Sequence, residues 1–294
     1  SGKLSVIQGA GYENVNRSHF KSLENWNRGS GGTENYTTGW MGRFLDDRYP
    51  SYSGIPFQGE QDPLGMLFGN MSNAGFHSNA EHTYEITMSG QDTSGFFSVI
   101  STLSGDPIMN IPASHHGDML AFLDGVAASL NVYAARVQQV FTAGINDGNT
   151  VYPSSSLGNQ LKTVARMLSG GSRTKIFTVS KGGFDNHANM VSATDTTQGT
   201  HANLLADTFD SLKAFQDDLA ALGFDDKVLT VVFSEFGRKI IQNGSNGCDH
   251  GSLSNMFVIG KGVEPGVIGN NMDITNLSGG APANNQLQNT YHKV

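Results

Sequence analysis

Cysteine is nearly absent: Cys248 stands alone in 294 residues, which excludes an intrachain disulfide and any cysteine-rich zinc site. Positive charge is scarce as well. Against 26 Asp and Glu there are 18 Lys and Arg, scattered along the chain, for a net charge of -8. A nucleic-acid surface needs a concentrated basic footprint, so no nucleic-acid partner is expected. No apolar run is long enough to span a bilayer, and no signal-peptide pattern follows Ser1-Gly2, which look like a processed start. What is plentiful is glycine, 37 residues, with many Asn, Ser and Thr, the composition of long ordered loops. The length suffices to bury a substantial core, and with no internal repeat one domain over 1–294 is expected.

The stretch VLTVVFSEFGR, from Val228 to Arg238, organises the rest. Val228 to Phe233 is a β-branched and aromatic run too short for a helix, so it reads as a buried strand. It delivers Ser234 and Glu235 where the chain leaves the sheet, the place where parallel α/β sheets bind ligands. A second strand, Thr174 to Ser180, leads into a loop with Asp185 and His187, and Asp249-His250 follow a Gly/Asn-rich turn. Between the two strands, Leu205, Phe209, Leu212, Phe215, Leu219 and Leu222 recur at helical spacing, which predicts a helix from His201. Strand, helix, strand implies a right-handed crossover and a parallel pair.

Further helices are expected over Phe20 to Trp26, within Thr38 to Tyr49, over Asp118 to Phe141 and over Ser156 to Leu168, the last stopped by Gly170-Gly171. Short strands are expected at Leu4 to Gln8, Glu85 to Met88, Phe96 to Ile100 and Asn255 to Ile259. Residues 27–115 read as a loop-rich insertion flanking the sheet, and the tail from Gly266 as loop. The GAG after the first strand lacks the third glycine of a dinucleotide fingerprint, since Asn14 stands in its place.

Asp185 and His187 at i, i+2 emerge on one face of an extended chain, where a carboxylate and an imidazole suit a zinc-like or manganese-like dication. His250 would complete three ligands and leave one position open. Asp249 either ligates or orients His250, and both aspartates also suit Asx turns. Glu235 pairs with Arg238 or binds metal, and Arg238 could instead receive an anionic substrate. Ser18-His19 place a hydroxyl and an imidazole in a loop after a strand, where Ser18 also reads as a helix N-cap. His77, His82, His115 and His116 read as solvated or capping histidines.

The segments QGAGYENVNRSHF, GWMGRFLDDRY, LGNQLKTVARML, GGFDNHANM, HANLLADTFDSLKAFQDDLAALG and VVFSEFGRKIIQNGSNGCDHGS resemble, in this order, the bacterial family called domain of unknown function 1501, over about residues 4 to 270. The resemblance implies a relation to the alkaline phosphatase and sulfatase superfamily. With it come a three-layer α/β sandwich with a mostly parallel central sheet, and an exported or periplasmic location. It further implies a metal-dependent hydrolase of phosphate or sulfate esters, acting on a small-molecule or glycan anionic ester with zinc, manganese or calcium. The alternative is a non-catalytic exported binding or scaffold protein with a vestigial site. By this resemblance Ser18 is the nucleophile, Asp185, His187 and His250 hold one metal, and Glu235 belongs to a second. The superfamily's first-strand Asp has no counterpart before Ser18, Phe236 replaces a histidine, and Asp-x-His is tighter than the usual spacing. One metal or none is therefore expected rather than two.

Overall fold

The computed structural model of the chain describes residues 3–52, 62–69, 74–79, 84–88, 111–114, 116–117, 120 and 133–290. Leu4–Gly11 (β1) is the middle of a five-stranded sheet. On one side β1 runs antiparallel to Ser254–Ile259 (β6), which runs antiparallel to Thr230–Val232 (β5) at the edge. On the other side its first half pairs with Gly266–Ile268 (β7) and its end with Asn289–Thr290 (β10), both parallel. A separate sheet is all parallel, in the order Glu85–Met88 (β3), Gly65–Phe68 (β2), Ile176–Thr178 (β4). Leu277–Ser278 (β8) and Ala281–Pro282 (β9) form a small hairpin.

This corrects the expected mostly parallel central sheet of a three-layer sandwich. The expected strand-helix-strand pattern is present, with Thr200–Leu222 (α4) between β4 and β5, yet β4 and β5 lie in different sheets. The pairing partners decide this: β2 takes β4, and β6 takes β5. No helix intervenes between β5 and β6, so the chain returns by a loop and pairs antiparallel, the only pairing a connection without a crossover readily allows. As an edge strand β5 is also less buried than its apolar run implies, with Val231 44% and Leu229 64% exposed. The tail from Gly266 is not merely loop, since β7 and β10 complete the far side of β1.

Helices His19–Arg28 (α1), Trp40–Arg48 (α2) and Ser156–Ser169 (α3) fall where the pattern places them. Ser155 caps α3 by accepting from Gly158 N–H, and Gly29 and Gly223 end α1 and α4 in the left-handed conformation that glycine favours. Residues 133–143 are helical. The rest of the helix expected from Asp118, apart from residue 120, lies outside the described residues, as do the expected strand Phe96 to Ile100, His82 and His115. His77 and His116 are exposed.

The core gathers around the second sheet. Met66 and Phe68 of β2, Met88 of β3, Leu157, Leu161 and Val164 of α3, and Leu212, Phe215 and Leu219 of α4 are all buried there. Residues 27–115 thus contribute the middle strand of a packed layer, beyond flanking it. Val179, Val228, Val232 and Ile259 pack against the same cluster, which brings the ends of β4 and β5 onto one core.

Candidate metal centre

The chain leaves β4 through Gly183, whose φ of +97° only glycine adopts without strain, and enters a loop carrying Asp185 and His187. That loop is laced to the one before β6: Cys248 N–H donates to Asn186 O, Asn189 N–H to Ser245 O and Met190 N–H to Asn246 O. Gly247 lies so close that a Cβ there would sit 2.3 Å from the His187 carbonyl carbon. Asn243 ties the two loops together, with its amide donating to His187 O at 2.8 Å and to Asp249 Oδ1 at 3.0 Å. Arg238 and His250 face each other on a short antiparallel bridge.

Four side chains converge at this junction. Asp185 Oδ1 lies 3.0 Å from His187 Nε2, 3.0 Å from His250 Nε2 and 3.3 Å from His19 Nε2. The two nitrogens of His187 and His250 are 2.9 Å apart. Arg238 Nη2 donates to the same oxygen at 2.5 Å. Burial of Asp185 raises its pKa, but the hydrogen bonds from Arg238 and His250 and the Arg238 charge outweigh this and hold it well below the usual carboxylate range. Asp185 is therefore an ionised acceptor at neutral pH.

The far ring nitrogens orient the rings. His250 Nδ1 lies 2.6 Å from the Arg17 carbonyl oxygen, which can only accept, so Nδ1 carries the proton. His187 Nδ1 faces Asp249 Oδ1 at 3.2 Å, and hydrogen bonds from Asn243 and His187 hold that carboxyl at about 2. His19 Nδ1 faces Glu235 Oε1 at 2.5 Å. With each Nδ1 directed at an oxygen, all three Nε2 atoms turn toward Asp185 Oδ1, where a protonated Nε2 donates to the carboxylate and a neutral one offers a lone pair to a cation. His19 Nε2 is buried and makes no hydrogen bond among the described residues. Positive charge at this point comes from Arg238 and from protons on Nε2, and a cation could take the place of those protons. A tetrahedral ion bonded to nitrogen at about 2.0–2.1 Å separates its ligands by roughly 3.3 Å, close to the distances here. The ligand atoms of His19, Asp185 and His250 all lie within 4.8 Å of one another, a possible metal-binding arrangement.

Asp185, His187 and His250 thus meet as a set. Glu235 and Asp249 stand behind it, each on the Nδ1 of a converging histidine. Arg238 is committed to Asp185 and to the Cys248 carbonyl, and its alternative pairing with Glu235 is not formed. Ser18 occupies the N-cap position of α1, but its exposed hydroxyl makes no capping bond. It sits between Arg17, whose carbonyl holds His250, and His19. The member of this possible metal-binding arrangement that sequence reasoning missed is His19, whose only signal was its place beside Ser18 after a strand. Asn243 gave no signal within its Gly/Asn-rich turn.

The chain is mixed α/β, with a histidine-aspartate cluster drawn from the first residue of α1, the loop after β4 and the loop before β6. The chain belongs to the family described as Protein of unknown function (DUF1501), whose model matches residues 138–289. The match includes Asp185, His187, Glu235, Arg238, Asp249 and His250, while Ser18 and His19 precede it. No curated protein matches the chain. No solved structure matches it either.

Proposed function

We propose that His19, Asp185, His187 and His250 hold one divalent cation and that the protein is a metal-dependent hydrolase of phosphate or sulfate esters. The observation that carries this reading is the convergence of three imidazole Nε2 atoms on one ionised carboxylate, one of them buried without a hydrogen bond. Three nitrogens and one oxygen suit zinc or manganese, whereas calcium prefers an all-oxygen shell. Bound there, the ion would supply Lewis acidity, drawing charge from the ester oxygens and making a nearby hydroxyl more acidic.

The chain's own groups do the rest. Glu235, Asp249 and the Arg17 carbonyl keep the three Nε2 atoms turned inward. Arg238 holds Asp185 ionised and in place. Ser18 offers an uncommitted hydroxyl at the N-terminus of α1, where the helix dipole favours an anion. The superfamily resemblance bears on this reading through the order Ser18, Asp185, His187, Glu235, His250 alone, because the sheet is mixed.

One observation favours the non-catalytic alternative: Arg238 already places a positive charge against Asp185, so the cluster can stand without an ion. Elemental analysis of the purified protein separates the two readings. The hydrolase requires about one zinc or manganese per chain, lost in His187→Ala, and turnover of an aryl phosphate or sulfate that falls in Ser18→Ala. A protein that neither retains nor binds zinc or manganese would leave the scaffold reading standing.

A further inference from the structure

A cavity of about 620 Å³ opens beside the cluster, between the segment carrying Asn16 and Arg17 and the β8–β9 hairpin with Asn285. Pro282 and Ala283 give it apolar wall, while Asn16, Ser278 and Asn285 place amides and a hydroxyl at separate points around it. Among the described residues no aromatic side chain lines it, so none of them offers a nucleobase a ring to stack on. Such scattered, short polar groups match a ring with hydroxyls pointing in several directions.

Arg17 adds a charge. Its guanidinium makes one long contact, 3.5 Å to Ser278 O, and among the described residues it pairs with no carboxylate. Arg28, Arg136 and Arg238, by contrast, pair with Glu24, Asp62 and Asp185. In a chain of net charge -8 an arginine without an acidic partner, in the wall of a cavity, is placed to receive an anion. The same residue reaches the metal centre through its backbone, since Arg17 O accepts from His250 Nδ1.

We propose that this cavity binds the alcohol portion of the substrate, a saccharide carrying a second sulfate or phosphate that pairs with Arg17. The proposal rests on the hydrolase reading and specifies its substrate class. A cavity of this size suits a mono- or disaccharide, well within the range of small-molecule sites. Because Arg17 O restrains His250, occupancy of the cavity and occupancy of the metal centre are coupled, and linkage makes the coupling reciprocal.

Titration calorimetry on the metal-free and zinc-loaded protein tests it, with glucose 6-sulfate, glucose 6-phosphate, glucose, and inorganic sulfate and phosphate as probes. The charged sugars should bind at least about tenfold more tightly than glucose and than the inorganic ions, with the better of the two naming the ester. Arg17→Ala should abolish that margin while keeping its metal content, and Arg17→Lys should restore part of it. Ser278→Trp, which fills the cavity, should block the sugars alone. Equal binding by Arg17→Ala and the parent, or inorganic anions binding as tightly as the charged sugars, would overturn the saccharide site. Metal uptake and aryl-ester turnover without binding of charged sugars sinks this proposal and spares the hydrolase. Arginine-dependent sugar binding in a protein that takes up no metal does the reverse.

Discussion

Asp218 and Asp185 are both carboxylates among several donors, yet they sit in opposite regimes. Asp218, fully buried on α4, receives Asn146 Nδ2, the Asp147 N–H and Tyr152 Oη at 2.7–2.8 Å, and pins the loop before α3 to the core. Burial and Asp218 itself push the Tyr152 phenol far up, so it stays a donor. Every contact to Asp218 is a proper hydrogen bond. Asp185 is half exposed, and of its four close nitrogens only Arg238 is a donor in every protonation state, the three Nε2 atoms depending on the charge of their rings. A buried group that is saturated holds a fold together. A half-exposed carboxylate facing three imidazole nitrogens is instead a possible metal-binding arrangement.

Substitution at the two sites should separate these roles. Asp218→Ala removes three charge-assisted hydrogen bonds and leaves buried donors unpaired, so denaturant unfolding should show a loss of about 3–5 kcal/mol, with metal uptake intact wherever the chain is folded. Asp185→Asn should do the opposite. Its half-exposed ion pair is worth at most about 1 kcal/mol to stability, while zinc affinity should fall roughly a hundredfold or more. If Asp185→Asn kept its zinc, the cluster would not be a metal centre.

The supporting carboxylates should show a smaller effect of the same kind. Glu235→Ala frees the His19 ring to turn, and Asp249→Ala frees that of His187. Each should lower zinc affinity about 10–100-fold without changing the number of ions bound. A loss of stoichiometry in Glu235→Ala would mean that Glu235 ligates directly, as the resemblance implied.

The local elements were legible because their signals are local. The stripe Leu212, Phe215 and Leu219 marks α4, Ser155 and Gly170 bound α3, and the Asp185-x-His187 pair announces its chemistry at a fixed spacing. The sheets were not legible. Pairing depends on which strand reaches which edge, and neither β2 in its glycine-rich surroundings nor the two-residue β10 has a pattern that says so. The strand-helix-strand rule places consecutive strands in one sheet only when no other strand claims the edge. His19 was obscured for a related reason, because it reaches Asp185 across 166 positions of sequence, and only the folded loops reveal that its Nε2 has nowhere else to go.

Acid should separate the supporting shell from the ligands. Protons compete for the imidazoles, so lowering the pH should release an ion held there well before Asp249 protonates. Hydrogen bonds from Asn243 and then His187 lower the Asp249 carboxyl from its ordinary 3.8 to about 2, against a small opposing effect of desolvation. A carboxyl depressed on folding adds stability above its unfolded value, and that contribution drains away as the pH falls through its folded one. The Asp249 contribution to holding His187 is thus complete above about pH 4 and lost toward pH 2. Carbon-detected NMR of the metal-free protein between pH 5 and 2 should show the Asp249 carboxyl still mostly ionised at pH 3. In Asn243→Ala its midpoint should move up toward 3.8, because the largest of its donors is gone. An unmoved midpoint would place the depression on His187 and Lys239 instead, and Asn243 would be left as a tie between the two loops with no part in setting the charge behind the site.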